Sequence, residues 1–114
     1  MARDIAICIQ SGRDLGAPFE PRFGRAPAFL VTNSDGTDFE VVTNHGASAG
    51  HGAGTGAAAL MGKLGVRRVV AGRFGPKAHL ALASLGVGMW LAPEGGTAGE
   101  VLAALERGDL EMQL

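Results

Sequence analysis

Two tripeptides far apart in the chain have the same sequence, Arg-Phe-Gly, and begin at Arg22 and Arg73. Each places a permanent positive charge beside an apolar ring and a flexible glycine, and Arg25 adds a further charge after the first. A guanidinium group is weakly hydrated and donates several hydrogen bonds in one plane, which suits a soft, polyatomic anion. The structural alternative is that Phe23 and Phe74 seal the core while the arginines simply face water.

A glycine-rich segment, residues 44–56, contains five glycines and two of the three histidines of the chain. Glycine permits positive φ and close backbone approach, so Gly50, Gly52 and Gly54 are expected to let this segment close its N–H groups around an anion. An apolar-periodic helix follows, and the positive end of its dipole would add to the attraction. The competing interpretation is a flexible surface loop that needs small residues.

Three side chains are candidate metal ligands. His45 and His51 lie in the glycine-rich segment, and a neutral imidazole nitrogen binds soft metals and iron. No metal-binding motif surrounds them, so two exposed polar residues are the alternative interpretation. Cys8 is the third candidate, although a lone cysteine in an apolar run is more often a small buried hydrophobe. A single cysteine excludes an internal disulfide and a four-cysteine metal site.

The composition limits the classes of partner. The chain has 114 residues, a net charge of −1 and 46% hydrophobic residues, which predicts one domain over residues 1–114. A near-neutral chain offers no broadly basic surface, so nucleic acid is not an expected partner. No apolar run reaches membrane-spanning length and no signal-peptide core is present, so the cytoplasm is the expected location and no membrane partner is expected.

Short buried elements must position the candidate residues. The β-branched run at residues 5–9 is typical of a central strand, and Asp35-Gly36 predicts a hairpin turn between the next two strands. Thr97 and Glu100 form a capping box for the last helix. Strands are predicted at 5–9, 28–32, 38–42, 67–71 and 88–92, with helices before the turns at Gly65, Gly86 and Gly108.

This element order predicts an α/β fold, with a three-layer, five-stranded mixed sheet of order 3-2-1-4-5 and flanking helices. Strand–helix–strand units place their strands parallel, so strands one, three, four and five should end at the same edge of the sheet. Ligands of open α/β sheets bind outside the carboxyl ends of strands. We therefore expect Arg22, Arg25, Arg73 and both loop histidines to converge there.

The sequence lacks the residues that several classes of enzyme require. A two-metal nuclease on a fold of this kind needs several carboxylates, but the only acid near the central strand is Asp4, at its wrong end. A phosphate-binding P-loop needs Gly-Lys-Ser/Thr, which Gly62-Lys63-Leu64 does not supply. Ser11 and Ser48 have no evident triad partners. The sequence predicts a binding protein rather than an enzyme, and a small phosphate- or nucleotide-binding signalling module is one alternative.

Four segments, residues 21–29, 45–56, 70–76 and 91–93, together resemble the dinitrogenase iron–molybdenum cofactor biosynthesis family. The similarity extends from Ile5 to Gly108. It implies a ribonuclease-H-like fold and a cytoplasmic carrier of metal–sulfur clusters, not a catalyst. A cluster donor or acceptor protein is the implied partner, and we expect a monomer because no exposed apolar helix face is predicted.

One departure from the family narrows this expectation. Many members have histidine at the position of Arg22, in a His-Phe-Gly motif that is implicated in holding the nitrogenase cofactor. Arginine cannot deprotonate to ligate a metal. The chain is similar to the orange-protein branch of sulfate-reducing bacteria, which holds a molybdenum–copper sulfide cluster without covalent ligands. The alternative cargo is an iron–molybdenum cofactor or related iron–sulfur cluster, with His45, His51 or Cys8 as ligand.

The expected cluster-binding residues are Arg22, Phe23, Arg25, His45, Gly50, His51, Gly52, Gly54, Arg73 and Phe74.

Overall fold

The first strand, β1 (Ile5–Ile9), lies inside the sheet, and all five of its residues are buried. The computed structural model describes residues 2–113. The β1 side chains alternate between two apolar clusters: Ile5, Ile7 and Ile9 face one, whereas Ala6 and Cys8 face the other. This alternation is the two-residue period of a strand that is covered on both faces. The prediction of a buried central strand is confirmed.

The remaining elements form a mixed sheet flanked by three helices. They are β2 (Ala28–Thr32), β3 (Phe39–Thr43), α1 (Ala53–Leu64), β4 (Arg68–Ala71), α2 (Pro76–Ser84), β5 (Gly88–Leu91), α3 (Ala98–Arg107) and β6 (Glu111–Met112). Side chains of α1 and α2 belong to the cluster that contains Cys8, and those of α3 belong to the cluster on the other face. The predicted three layers are present, and the ribonuclease-H-like assignment stays a prediction.

The sheet has six strands in the order β3-β2-β1-β4-β5-β6, so the predicted five-strand count is wrong. The predicted order of the first five strands is confirmed. The sixth strand comes from the tail: α3 ends at Gly108 (φ 78°), and the chain returns antiparallel along the edge of β5. Gln113 N then donates to the carbonyl oxygen of Met89 at 2.8 Å. An exposed strand edge offers unpaired backbone groups that such a tail can satisfy.

The strand directions place four chain segments at one edge. β1 is parallel to β4, which is parallel to β5, while β2 is antiparallel to both β1 and β3. The carboxyl ends of β1, β3, β4 and β5 therefore meet at one edge of the sheet, as predicted. The segments that follow these strands are the Arg-Phe-Gly loops, the glycine-rich segment and the loop before α3.

Helix α1 begins earlier than predicted, and two leucines of α2 and its C-terminal cap are exposed. Helix α1 begins at Ala53, with Gly52 (φ 73°) as its N-terminal cap, so Gly54 lies in the helix and not in a loop. Leu80 of α2 is 70% exposed and Leu85 at its C-terminal cap is 50% exposed, so two large apolar side chains face water here. The expected monomer stays a prediction. The capping box of α3 is present as predicted. Within residues 2–113, no helix is long and apolar enough to cross a membrane.

A close backbone approach fixes the first Arg-Phe-Gly loop against the end of β4. The carbonyl oxygen of Pro21 accepts hydrogen bonds from Gly72 N at 2.7 Å and from Arg73 N at 3.0 Å. A Cβ atom on Gly72 would lie 2.6 Å from Cβ of Pro21, a distance that real Cβ atoms essentially never show. Glycine at position 72 is therefore a steric requirement of this contact.

We expect Gly72→Ala to lower the free energy of unfolding by about 1–3 kcal/mol, because the added methyl group overpacks a backbone contact. Gly50→Ala is the matched control, since nothing lies within 4 Å of a Cβ there, and its effect should stay within about 0.5 kcal/mol. Urea midpoints of the two variants would measure the difference. Equal midpoints would contradict the steric account.

Candidate functional site

The two Arg-Phe-Gly tripeptides lie side by side at the carboxyl edge of the sheet. Arg22 and Arg73 are paired in a parallel β-bridge, so the phenylalanines that follow them are also adjacent. The rings of Phe23 and Phe74 have centroids 5.2 Å apart and an angle of 43° between their planes. Both residues are buried, while both arginines are exposed. The rings thus pack in the core, as the structural alternative predicts. The arginines remain exposed at the same site, as an anion-binding role requires.

An open pocket of about 570 Å³ is built around this pair of loops. Its lining consists of Arg22, Phe23, Gly24, Arg25, Gly52, Ala53, Gly54, Arg73, Phe74, Gly75, Pro76, Lys77 and Ala78. The charged members of this set are three arginines and a lysine, with no carboxylate among them. The pocket therefore combines positive charge at its rim with apolar side chains from the core.

Helices α1 and α2 both begin at the pocket. Their N-terminal caps, Gly52 and Gly75, provide no side-chain hydrogen bond, and neither helix has an acid in its first turn. Helix α3, in contrast, has a complete capping box from Thr97 and Glu100. The first N–H groups of a helix lack intrahelical partners, and its dipole is positive at that end. Two uncapped helix starts therefore reinforce the positive potential of the pocket.

Close contacts between small residues bring these helix starts together. A Cβ on Gly54 would lie 3.0 Å from Cβ of Ala78, and a Cβ on Gly24 would lie 2.9 Å from both N and Cα of Gly54. Gly24 belongs to the first Arg-Phe-Gly tripeptide, so its loop sits directly against the first turn of α1. Gly52 and Gly54 line the pocket as expected, although Gly54 does so from within the helix.

A buried carboxylate, Glu20, holds Arg22. Its Oε2 accepts hydrogen bonds from Arg22 Nε at 3.0 Å and from the backbone N of Arg22 at 2.9 Å, and its Oε1 accepts from Nη2 at 3.3 Å. Glu20 is only 5% exposed. The Arg22 side-chain hydrogen bond lowers the pKa of Glu20, burial opposes this shift, and the charge of Arg73 adds to the lowering. Glu20 was not predicted from the sequence, because its pairing with Arg22 forms only in the folded loop.

The glycine-rich segment is tied to the same loop. Arg25 Nη1 donates to the carbonyl oxygens of Ala47 at 3.0 Å and Ala49 at 2.6 Å. The buried Asn44 donates from Nδ2 to the carbonyl oxygen of Ala26 at 2.8 Å. Arg25 therefore lines the pocket while its guanidinium group also holds the neighbouring segment in place.

The candidate metal ligands do not meet at the pocket. His45 and His51 are exposed on the glycine-rich segment and, like Gly50, are absent from the lining set. The early start of α1 directs the residues around Gly52, and not the histidines, into the pocket wall. Cys8 is fully buried in β1, where burial and the charge of Glu20 raise the pKa of its thiol and disfavour the thiolate that binds metals. In the described part of the chain, no three or more His, Cys, Asp or Glu side chains are grouped so that they could hold a metal ion.

Lys77 is the charged residue of the pocket lining that was not among the residues predicted from the sequence. It lies in the first turn of α2 and is exposed. A positive side chain is electrostatically unfavourable at a helix N-terminus, since the dipole is positive there. This unfavourable placement of Lys77, four residues after Arg73, is visible in the sequence. A negatively charged ligand would compensate it.

We expect Arg25→Ala to speed amide hydrogen exchange in residues 45–51 by about fivefold or more, because two hydrogen bonds that hold the segment are removed. Exchange in the hairpin turn at residues 33–37 should be unchanged and serves as the internal control. Hydrogen–deuterium exchange mass spectrometry on the wild-type and variant proteins would measure both. Equal protection of residues 45–51 in the two proteins would show that Arg25 does not restrain the segment.

Comparisons with known proteins place this chain in a recognised family. The family model described as dinitrogenase iron-molybdenum cofactor matches residues 3–108. An uncharacterized protein of Methanocaldococcus jannaschii is 30% identical over 91 residues, which cover 77% of this chain and 73% of that protein.

Two solved structures are similar over almost the whole chain. The apo form of the orange protein from Desulfovibrio gigas superposes with a TM-score of 0.90 and 31% identity, covering 98% of this chain and 93% of its own. A putative NifB protein from Thermotoga superposes with a TM-score of 0.82 and 35% identity, with the same coverages of 98% and 93%. The sequence resemblance is confirmed, and the chain belongs to the dinitrogenase iron-molybdenum cofactor family.

Proposed function

We propose that this protein is a non-enzymatic carrier of an anionic, molybdenum-containing metal–sulfur cluster, and that the cargo is a molybdenum–copper sulfide cluster held without coordination by side chains. The observation that carries the proposal is the pocket at the carboxyl edge of the sheet, whose charged lining residues are all cationic. Family membership and the similarity to the orange protein support the same class of cargo.

The charges of the pocket suit such a cargo. Sulfide ligands of an anionic cluster accept hydrogen bonds, and Arg22, Arg73 and Lys77 present N–H donors at the rim. The uncapped starts of α1 and α2 add backbone N–H groups and partial positive charge. Retention by these contacts needs no deprotonated ligand.

The size and apolar lining of the pocket also fit a polyatomic ligand. A volume of about 570 Å³ lies in the range of small-molecule sites and far exceeds the space that a single ion fills. Phe23 and Phe74 line the pocket beside the cations, and Phe74, at 9% exposure against 2% for Phe23, offers more of its polarizable ring to a ligand. A soft sulfide surface is weakly hydrated compared with an oxyanion, so contact with these rings has a small desolvation cost.

An iron–molybdenum cofactor is the alternative cargo, since the family description names it. Coordination of that cofactor would need a side-chain ligand, and Arg22 cannot serve because guanidinium stays protonated. His45 and His51 are both outside the pocket lining, so neither is a ligand in the present arrangement. The non-coordinated cluster uses the pocket as it stands.

The direct experiment is anaerobic reconstitution of the purified protein with tetrathiomolybdate and a copper salt, followed by desalting. We expect a coloured protein with stoichiometric molybdenum and copper, measured by visible absorption and metal analysis. A colourless, metal-free protein would overturn the molybdenum–copper assignment. Parallel titrations with isolated iron–molybdenum cofactor and with nucleotides would then distinguish the family alternative from a nucleotide-binding module.

We expect Arg73→Ala to weaken cluster retention by about tenfold, because one charge-assisted hydrogen bond is lost at the rim. Within residues 2–113, the Arg73 side chain makes no ion pair, so its removal leaves no carboxylate unpaired. Arg67→Ala is the matched control: it removes the same charge from an exposed residue at the opposite end of β4. Repeated dilution and desalting of the three proteins would measure retention. Equal losses in both variants would rule out a local contact at Arg73.

A further inference from the structure

Glu20 places a negative charge beside a pocket whose charged lining residues are all cationic. By Coulomb's law, this carboxylate lowers the affinity of the pocket for any anion. Burial of a carboxylate also costs free energy unless a cation and hydrogen bonds compensate it. The negative charge of Glu20 is thus unfavourable both for anion binding and for burial. Another property of this residue must account for its position beside the pocket.

The geometry of the pair indicates that role. Glu20 contacts Arg22 through Nε, Nη2 and the backbone N, so it holds the guanidinium group in a fixed arrangement relative to the backbone of the same residue. These contacts use the Nε edge of the planar guanidinium group and leave the N–H groups of Nη1 for a ligand. An arginine at 52% side-chain exposure would otherwise sample many rotamers.

Glu20 itself has a rigid support. Its backbone N donates to the carbonyl oxygen of Cys8 in β1 at 2.9 Å, and the next residue, Pro21, bonds to Gly72 and Arg73 after β4. The carboxylate is therefore fixed relative to the two neighbouring strands at the centre of the site edge. Neither Arg73 nor Arg25 has such a carboxylate partner in the described chain.

We infer that Glu20 is a positioning residue for the cargo: it orients the Arg22 guanidinium so that the gain from a preorganised donor exceeds the repulsion between Glu20 and the bound anion. This inference rests on the proposed function, since it assigns Glu20 a part in binding at the same pocket. Preorganisation raises affinity because the ordering of a flexible side chain no longer opposes binding.

Glu20 has two opposite effects on anion binding: it favours binding by orienting Arg22, and it disfavours binding by repelling the anion. The test separates these two effects. In the wild-type background, Glu20→Gln should weaken binding of tetrathiomolybdate about three- to tenfold, although it makes the pocket more positive. In an Arg22→Ala background, Glu20→Gln should instead strengthen binding, because only the repulsion remains. Equilibrium dialysis of tetrathiomolybdate against the four proteins measures this cycle. A purely structural role of Glu20 would not reverse the sign of the effect.

Two controls keep the test decisive. Glu111→Gln removes a charge from an exposed residue on β6, outside the pocket lining, and should leave binding unchanged. Circular dichroism would verify folding of every variant at the assay temperature. If Glu20→Gln fails to fold, Arg22→Lys replaces it: lysine keeps the charge without the fork, and we expect weaker binding by a similar factor.

The outcomes separate the two proposals. Stronger binding by Glu20→Gln in both backgrounds, or wild-type affinity in Arg22→Lys, would overturn the positioning role and leave the proposed function intact. Failure of the wild-type protein to bind tetrathiomolybdate, both alone and together with the copper salt, would overturn the proposed function, and the inference with it.

Discussion

The site depends on one backbone contact, in which the carbonyl oxygen of Pro21 accepts hydrogen bonds from Gly72 N and Arg73 N. This contact joins the loop after β1 to the end of β4 and sets the register in which Arg22 stands beside Arg73. It can form because β1 and β4 are parallel neighbours whose carboxyl ends share an edge. The adjacency of the two Phe rings and the shape of the pocket follow from that register.

The same register creates an electrostatic problem. Arg22 and Arg73 occupy paired backbone positions, so their positive charges repel each other, and both residues line the pocket at which α1 and α2 begin. Glu20 interacts with both arginines: it bonds directly to Arg22, and the charge of Arg73 also lowers its pKa. The carboxylate thereby lets the fold hold a cluster of cations without a ligand. Since the whole chain has a net charge of −1, the positive charge of the pocket results from local placement and not from composition.

Strand order and the site edge were predictable because they follow from local patterns and from the handedness of strand–helix–strand units. Strand order and the shared edge were also sufficient to predict that Arg22, Arg25 and Arg73 converge. The outward position of His45 and His51 was not predictable, because the start of α1 depends on tertiary contacts of Gly54 with Ala78 and Gly24. The strand β6 has only two residues and no apolar alternation, so its pairing depends on the edge that β5 offers.

The buried phenylalanines and the exposed cations of the pocket have different structural roles. Phe23 contacts the ring of Phe74 and also that of Phe29 in β2, at a centroid distance of 5.7 Å, so the pocket lining is continuous with the core. Truncation of such a ring typically costs about 3–5 kcal/mol of stability, which is a large part of the total for a small domain. Arg73 and Lys77 are exposed at the rim and make no ion pair in the described chain, so they carry no such constraint. The charge of the rim can therefore change at Arg73 and Lys77 while the apolar lining stays fixed by the fold.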